Sequence, residues 1–180
     1  MSIPEAESRS RMLEFIAQNS PGSIIGYSAY NPASAASYTT AGTSMTYVVD
    51  GSSNKKSVTF TAPPTGKVEI SVSVWVEQNA TISATSYLAM ALSTDGITWS
   101  TYNNTYKRAF LGTEHVQVPS QAHTTMRWAI DSLSPGASTT FYLGASEVNS
   151  PSAFVLKWGG GGEWPGLIMK ATTLPREINT

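Results

Sequence analysis

The sequence predicts an all-β protein, an antiparallel jelly-roll β-sandwich preceded by a short N-terminal helical arm. Three observations predict it. From Lys67 to Glu77 β-branched residues alternate with others, with Val68, Ile70, Val72, Val74 and Val76 on one side and Lys67, Glu69, Ser71, Ser73, Trp75 and Glu77 on the other. That is the period-two signature of a strand with one buried face. Turn signals recur at short intervals, at Asp50-Gly51, Pro63-Pro64-Thr65-Gly66, Asp95-Gly96, Ser134-Pro135-Gly136 and Asn149-Ser150-Pro151. Each supplies the positive or fixed φ of a tight reversal. Finally, Met126, Trp128 and Ile130 share one side of a strand, as do Phe141, Leu143 and Ala145, and Phe154, Leu156 and Trp158, while Arg127, Tyr142 and Lys157 fall on the opposite sides. Such one-sided sheets are what two packed antiparallel sheets require.

Residues 1–20 form the arm and residues 21–180 the sandwich. Ser2 with Glu5 three positions on, and Pro4 in the first turn, are a helix start; Met12, Phe15 and Ile16 then share one helical face until Asn19-Ser20-Pro21-Gly22 stops it. A helix is predicted over 4–18, with Met12, Phe15 and Ile16 as its contact face, either on its own domain or on a partner. Strands are predicted at 23–30, 45–49, 57–61, 67–77, 87–93, 97–102, 106–111, 115–118, 124–131, 138–147, 153–158 and 167–174. Asn31 to Ser44, rich in Ala, Ser, Thr and Gly, reads as one long surface loop. Gly159 to Gly162 read as a flexible crossing between the last two strands, between Trp158 and Trp164.

Composition narrows the functions. Charged residues make up 13% of the 180, about half the usual share of roughly 25%, and 11 Lys+Arg against 12 Asp+Glu leave a net charge of -1. A nucleic-acid partner is not expected, because sustained phosphate binding needs a basic stripe and these cations are scattered. With no run of eighteen apolar residues, no membrane partner is expected either. No secretory signal is visible at the N-terminus. The chain has no cysteine, which excludes disulfides, thiolate zinc sites and thiol nucleophiles.

Nor does a catalytic constellation emerge, and neither catalysis nor a cofactor or metal is expected. His115 and His123 flank a predicted turn at Val118-Pro119-Ser120-Gln121, with Glu114 as the sole further ligand nearby. The short ligand spacings of a tight metal site are missing. Gly26-Tyr27-Ser28-Ala29-Tyr30 fails the nucleophile-elbow pattern at its last position. The four glycines at 159–162 lack the Lys-Ser/Thr of a phosphate loop. Asn79-Ala80-Thr81 and Asn103-Asn104-Thr105 fit glycosylation sequons but read as polar loops. Ser93-Thr94-Asp95-Gly96-Ile97-Thr98-Trp99 resembles the Asp-box hairpin of sialidase-like propellers, one residue short, and that motif is a structural turn.

Aromatic residues are the remaining functional candidates. Trp75 lies on the polar side of the valine strand, where its neighbours are otherwise small or charged, and Trp164 follows the glycine run. A ring placed like Trp75 anchors a subunit interface, lies partly buried under a loop, or serves as a sugar platform. Trp75 and Trp164 therefore join Met12, Phe15 and Ile16 as interface candidates.

Pro21-Gly22-Ser23-Ile24-Ile25-Gly26-Tyr27, Tyr30-Asn31-Pro32, Val49-Asp50, Val58 to Val68 and the closing Leu167 to Pro175 resemble the small virion structural proteins of tailed bacteriophages. The resemblance spans nearly all of the chain after residue 20. It implies a jelly-roll knob located in the virion, assembled as a homotrimer on the major capsid protein or other virion proteins. Its job there is capsid decoration or cementing, without catalysis. The alternatives are a tail-fibre or receptor-binding knob that contacts the host surface, and a carbohydrate-binding module.

Overall fold

The computed structural model describes residues 7, 9–13, 16, 20–40, 42–78, 87–99, 107–109, 120–148 and 154–175. Eleven strands follow in order: β1 (Ile24–Tyr30), β2 (Ala35–Thr39), β3 (Thr46–Tyr47), β4 (Ser57–Thr61), β5 (Val68–Gln78), β6 (Tyr87–Ser93), β7 (Lys107–Ala109), β8 (Ser120–Ile130), β9 (Ser138–Val148), β10 (Phe154–Gly159) and β11 (Leu167–Thr173). They build two antiparallel sheets packed face to face, a jelly-roll sandwich. The predicted strand 115–118, the turn at 149–151, Phe15, His115 and both sequons lie outside the described residues.

The valine strand is the spine of the first sheet. Along one edge β5 pairs over its whole length with β8, from Val68 opposite Ile130 to Gln78 opposite Ser120. Its other edge is shared: β11 takes Val68 to Ser73 and β10 takes Trp75 to Gln78. Next to them β1 pairs with β11, and β2 with β10. Two neighbouring strand lines are therefore broken at the same level, at 31–34 and at 160–166. The second sheet repeats the device, with β9 pairing β6 on one edge and β4 and β3 in succession on the other.

Alternation places the core as the sequence predicts. Val68, Ile70, Val72, Val74 and Val76 are all fully buried, against Trp128, Phe141, Leu143, Phe154, Leu156 and Trp158 from the other strands. Burial of one such side chain is worth about 1.5–3 kcal/mol. Phe60 and Phe141 stack across β4 and β9 with centroids 6.0 Å apart. Where β1 crosses β4 the backbones come so close that a Cβ on Gly26 would sit 2.9 Å from that of Phe60. Tyr30 ties the same corner, its Oη donating to the Ser57 carbonyl at 2.7 Å and accepting from the Ser57 N–H at 2.9 Å. Lys56 is buried there, its Nζ 2.8 Å from Asp50 Oδ2 and 4.6 Å from the Tyr30 ring centroid.

Three sequence expectations need correction. The loop predicted over 31–44 contains β2, whose Ala36 and Tyr38 pack against the core while Ala35, Ser37 and Thr39 face out. The strand predicted from Ile97 does not begin there, because the Asp95 carboxylate accepts the Ile97 and Thr98 N–H groups and curls residues 94–98 into a turn. Ser120 and Gln121, expected in a turn, open β8, which carries His123 in mid-strand. In the arm, residues 7, 9–13 and 16 are helical, with Met12, Leu13 and Ile16 exposed at 63%, 67% and 53%. No helix among the described residues is long and apolar enough to cross a membrane.

Candidate functional site

Strand register assembles a patch on the outer face of the first sheet. Ser37, Lys157, Trp75 and His123 lie side by side in one row across β2, β10, β5 and β8. Thr39, Val155, Glu77 and Gln121 form the next row. Directly opposed residues of antiparallel strands share a face, so both rows point away from the core. Lys157 Nζ lies 2.7 Å from Glu77 Oε2, and Gln121 Nε2 donates to the same oxygen at 3.0 Å. Glu77 is nearly buried beneath this cover.

Trp164 reaches the patch from the break between β10 and β11. Gly159, Gly160, Gly161 and Gly162 all have positive φ, between 65° and 107°, a region that side-chain-bearing residues rarely occupy. Gly159 lacks room for a Cβ as well, since one would stand 2.7 Å from Pro32. The excursion is pinned rather than a loose crossing: Gly160 N–H donates to the Pro32 carbonyl at 3.0 Å, and Trp164 N–H to that of Gly159 at 3.0 Å. It lays the Trp164 indole on Trp75, with centroids 5.6 Å apart and planes at 48°. Lys157 Nζ is 4.7 Å from the Trp164 centroid, a cation–π contact.

Trp75 is thus on the outer face, as the alternation predicts, and the ring is partly buried under a loop, one of the three readings that the sequence leaves open. Trp164 covers it and leaves it half-buried, and its Nε1 is buried with no hydrogen-bond partner among the described residues. Beside the pair, Ala35, Ala36, Ser37, Lys157, Glu163 and Trp164 line a cavity of about 220 Å³. The structure brings Trp75 and Trp164 together. It leaves Met12 and Ile16 exposed on the arm. Glu77, Gln121, Lys157 and Glu163 were missed in the sequence. The signal for Glu77 was present, since alternation puts it beside Trp75.

A second aromatic group occupies the outer face of the other sheet. The Tyr47 ring stands 5.3 Å from Trp99 and 5.4 Å from Tyr142, edge to face in both cases. Lys55 Nζ lies 3.8 Å from the Tyr47 centroid. Tyr47 Oη donates to the Asp95 carbonyl at 2.8 Å. The N–H of Thr98 above all, then that of Ile97 and the Ser93 hydroxyl, hold the Asp95 carboxyl well below the usual carboxylate range. Asp50 is lowered likewise, chiefly by the Lys56 ammonium and then by the Asn54 N–H. Among the described residues no group of three or more His, Asp or Glu side chains is arranged to hold a metal ion.

No protein-family model matches the sequence, and neither does any curated protein. Solved structures that resemble it include a xylan-binding module, CBM15, at 15% identity and a TM-score of 0.36, over 83% of this chain and 98% of that one. Another is the CBM22-1 xylan-binding domain of Xyn10C from Paenibacillus barcinonensis, at 12% identity and a TM-score of 0.33, over 86% of this chain and 98% of that one.

Proposed function

We propose that this chain is a non-catalytic carbohydrate-binding module whose site is the Trp75–Trp164 patch. The observation that carries the reading is the Trp164 indole, held by a pinned glycine turn beside a cavity that also presents Ser37, Lys157 and Glu163. An indole offers a flat apolar surface to the C–H face of a sugar ring, and polar groups at its border satisfy the hydroxyls. The cavity falls below the ~300 Å³ at which pockets begin to engulf a small molecule. It suits one ring or one edge of an extended polymer.

Affinity electrophoresis in gels containing arabinoxylan, xyloglucan or galactomannan tests this directly. At least one polysaccharide should retard the chain, and Trp164→Ala should weaken that retention tenfold or more, about 1.4 kcal/mol. Migration unaffected by these polymers and by the acidic polymer polygalacturonate alike, or full retention by Trp164→Ala, would count against the reading.

The exposure of Met12, Leu13 and Ile16 favours a second reading. Here the molecule is a trimeric virion decoration head whose helical arm seats on the capsid. Light scattering that returns a single-chain mass at micromolar concentration would remove the trimer from it.

A further inference from the structure

Resting on the carbohydrate reading, the charges around the cavity go further and name the class of glycan. We infer that the site selects uncharged chains over chains bearing carboxylates, and that Glu163 enforces the choice. Lys157 is the only cation among the described residues that line the cavity, and it is already engaged. Its Nζ is held by Glu77 at 2.7 Å and lies over the Trp164 ring, with its side chain 24% exposed and that of Glu77 9%. Moving it onto a ligand carboxylate would strip a nearly buried Glu77 of its counter-charge, a costly state.

Glu163 differs from Glu77 in every respect. It is exposed, it lines the cavity next to Trp164, and its carboxylate makes no hydrogen bond or ion pair among the described residues, its backbone N–H alone donating, to the Gly160 carbonyl. With Lys157 neutralised by Glu77, which lies outside the lining, the unpaired carboxylate of Glu163 leaves the border of the cavity net negative. A neutral sugar finds in Glu163 an acceptor for its hydroxyls, whereas a uronic acid meets a like charge with no available cation among the described lining residues to offset it.

The test compares retention of the full chain by arabinoxylan, xyloglucan and galactomannan with retention by polygalacturonate. It is run at low ionic strength, where the charge effect is largest, and at pH 8, above the ordinary histidine range. The wild-type chain should be retained by a neutral polymer and pass polygalacturonate gels freely. In Glu163→Gln, which keeps an acceptor and removes the charge, the ratio of acidic to neutral affinity should rise about fivefold or more. Glu163→Lys should raise it further, and added salt should erase both gains. Wild-type preference for polygalacturonate, or an unchanged ratio in both variants, would overturn the selectivity while leaving carbohydrate binding intact. Failure of the wild-type chain to bind any of the four polymers would instead overturn the carbohydrate reading itself.

Discussion

The outer face of the first sheet carries Trp75 and Trp164, and that of the second carries Tyr47, Trp99 and Tyr142, but the two groups are put to different uses. On the second sheet the rings close on their own loop. Trp99 lies over Gly144, where a Cβ would come within 2.4 Å of the indole, and Tyr47 bonds the Asp95 carbonyl. Loop 93–99 is thereby stapled to the sheet. On the first sheet the pair rests on an ion pair, borders a cavity and leaves the Trp75 indole N–H without a partner among the described residues. Outward aromatics in a β sequence look alike in composition. What separates a staple from a platform is whether a loop uses up both the ring faces and the polar atoms around them.

The division between inner and outer faces underlies this contrast, and breaking it has the largest expected effect. Val72→Asp buries an unpaired carboxylate at a fully buried position. That costs several kcal/mol of the roughly 5–15 that hold a domain, and the chain should fail to give a cooperative melt. Ser73→Asp, on the outer face, forfeits the 2.7 Å bond between the Ser73 and Thr125 hydroxyls, about 1 kcal/mol. Similar melting temperatures for the two variants would mean the register is wrong.

The contrast itself is sharpened by Trp99→Ala against Trp164→Ala. Loss of the staple should cost about 2 kcal/mol, a fall of roughly 4–8 °C in Tm, with glycan retention kept. Loss of the platform should cost about half as much in stability and remove retention. If calorimetry and affinity electrophoresis reverse these assignments, the two faces have exchanged roles.

The smallest effect comes from acid. Asp95 and Asp50 both have carboxyls held below their ordinary values in the fold. The stability they contribute is present above the unfolded carboxylate pKa, near 4, and is lost as pH falls below it toward the folded values. Tm measured from pH 6 down to pH 2.5 should decline mainly below about pH 4, and Asp95→Asn should flatten part of that decline. Because Asp95 belongs to the staple and not to the platform, its protonation should loosen the second face first.

Strands with strict alternation were legible: the β5 register is set by five β-branched residues on one side, and β4 and β6 begin and end where turn residues and periodicity place them. The Asp95 turn was legible in position, since its chemistry is local, but not in extent, because its carboxylate also takes up the Ile97 and Thr98 N–H groups where a strand was predicted. β2 was hidden because Ala35-Ala36-Ser37 carries little apolar contrast and gains its strand state from pairing with β10. Trp75 could be placed on a face, but what covers it could not, because Trp164 is 89 positions away and arrives through four positive-φ glycines. The ion pair of Glu77 with Lys157 needed the pairing of β5 with β10, which no local signal in either segment reveals.

The two broken strand lines bear on how the surface of this fold can be altered. β10 and β11 lie along the same edge of β5, each with its own register, and β2 and β1 repeat that separation one strand further out. Pairing on either side of residues 160–166 is therefore specified without help from the segment between them. A longer or shorter excursion there would shift no ladder and empty no core position. The sandwich is in that sense a socket, and the turn carrying Glu163 and Trp164 is a replaceable insert through which recognition can be rewritten while the hydrogen-bonded frame stays as it is.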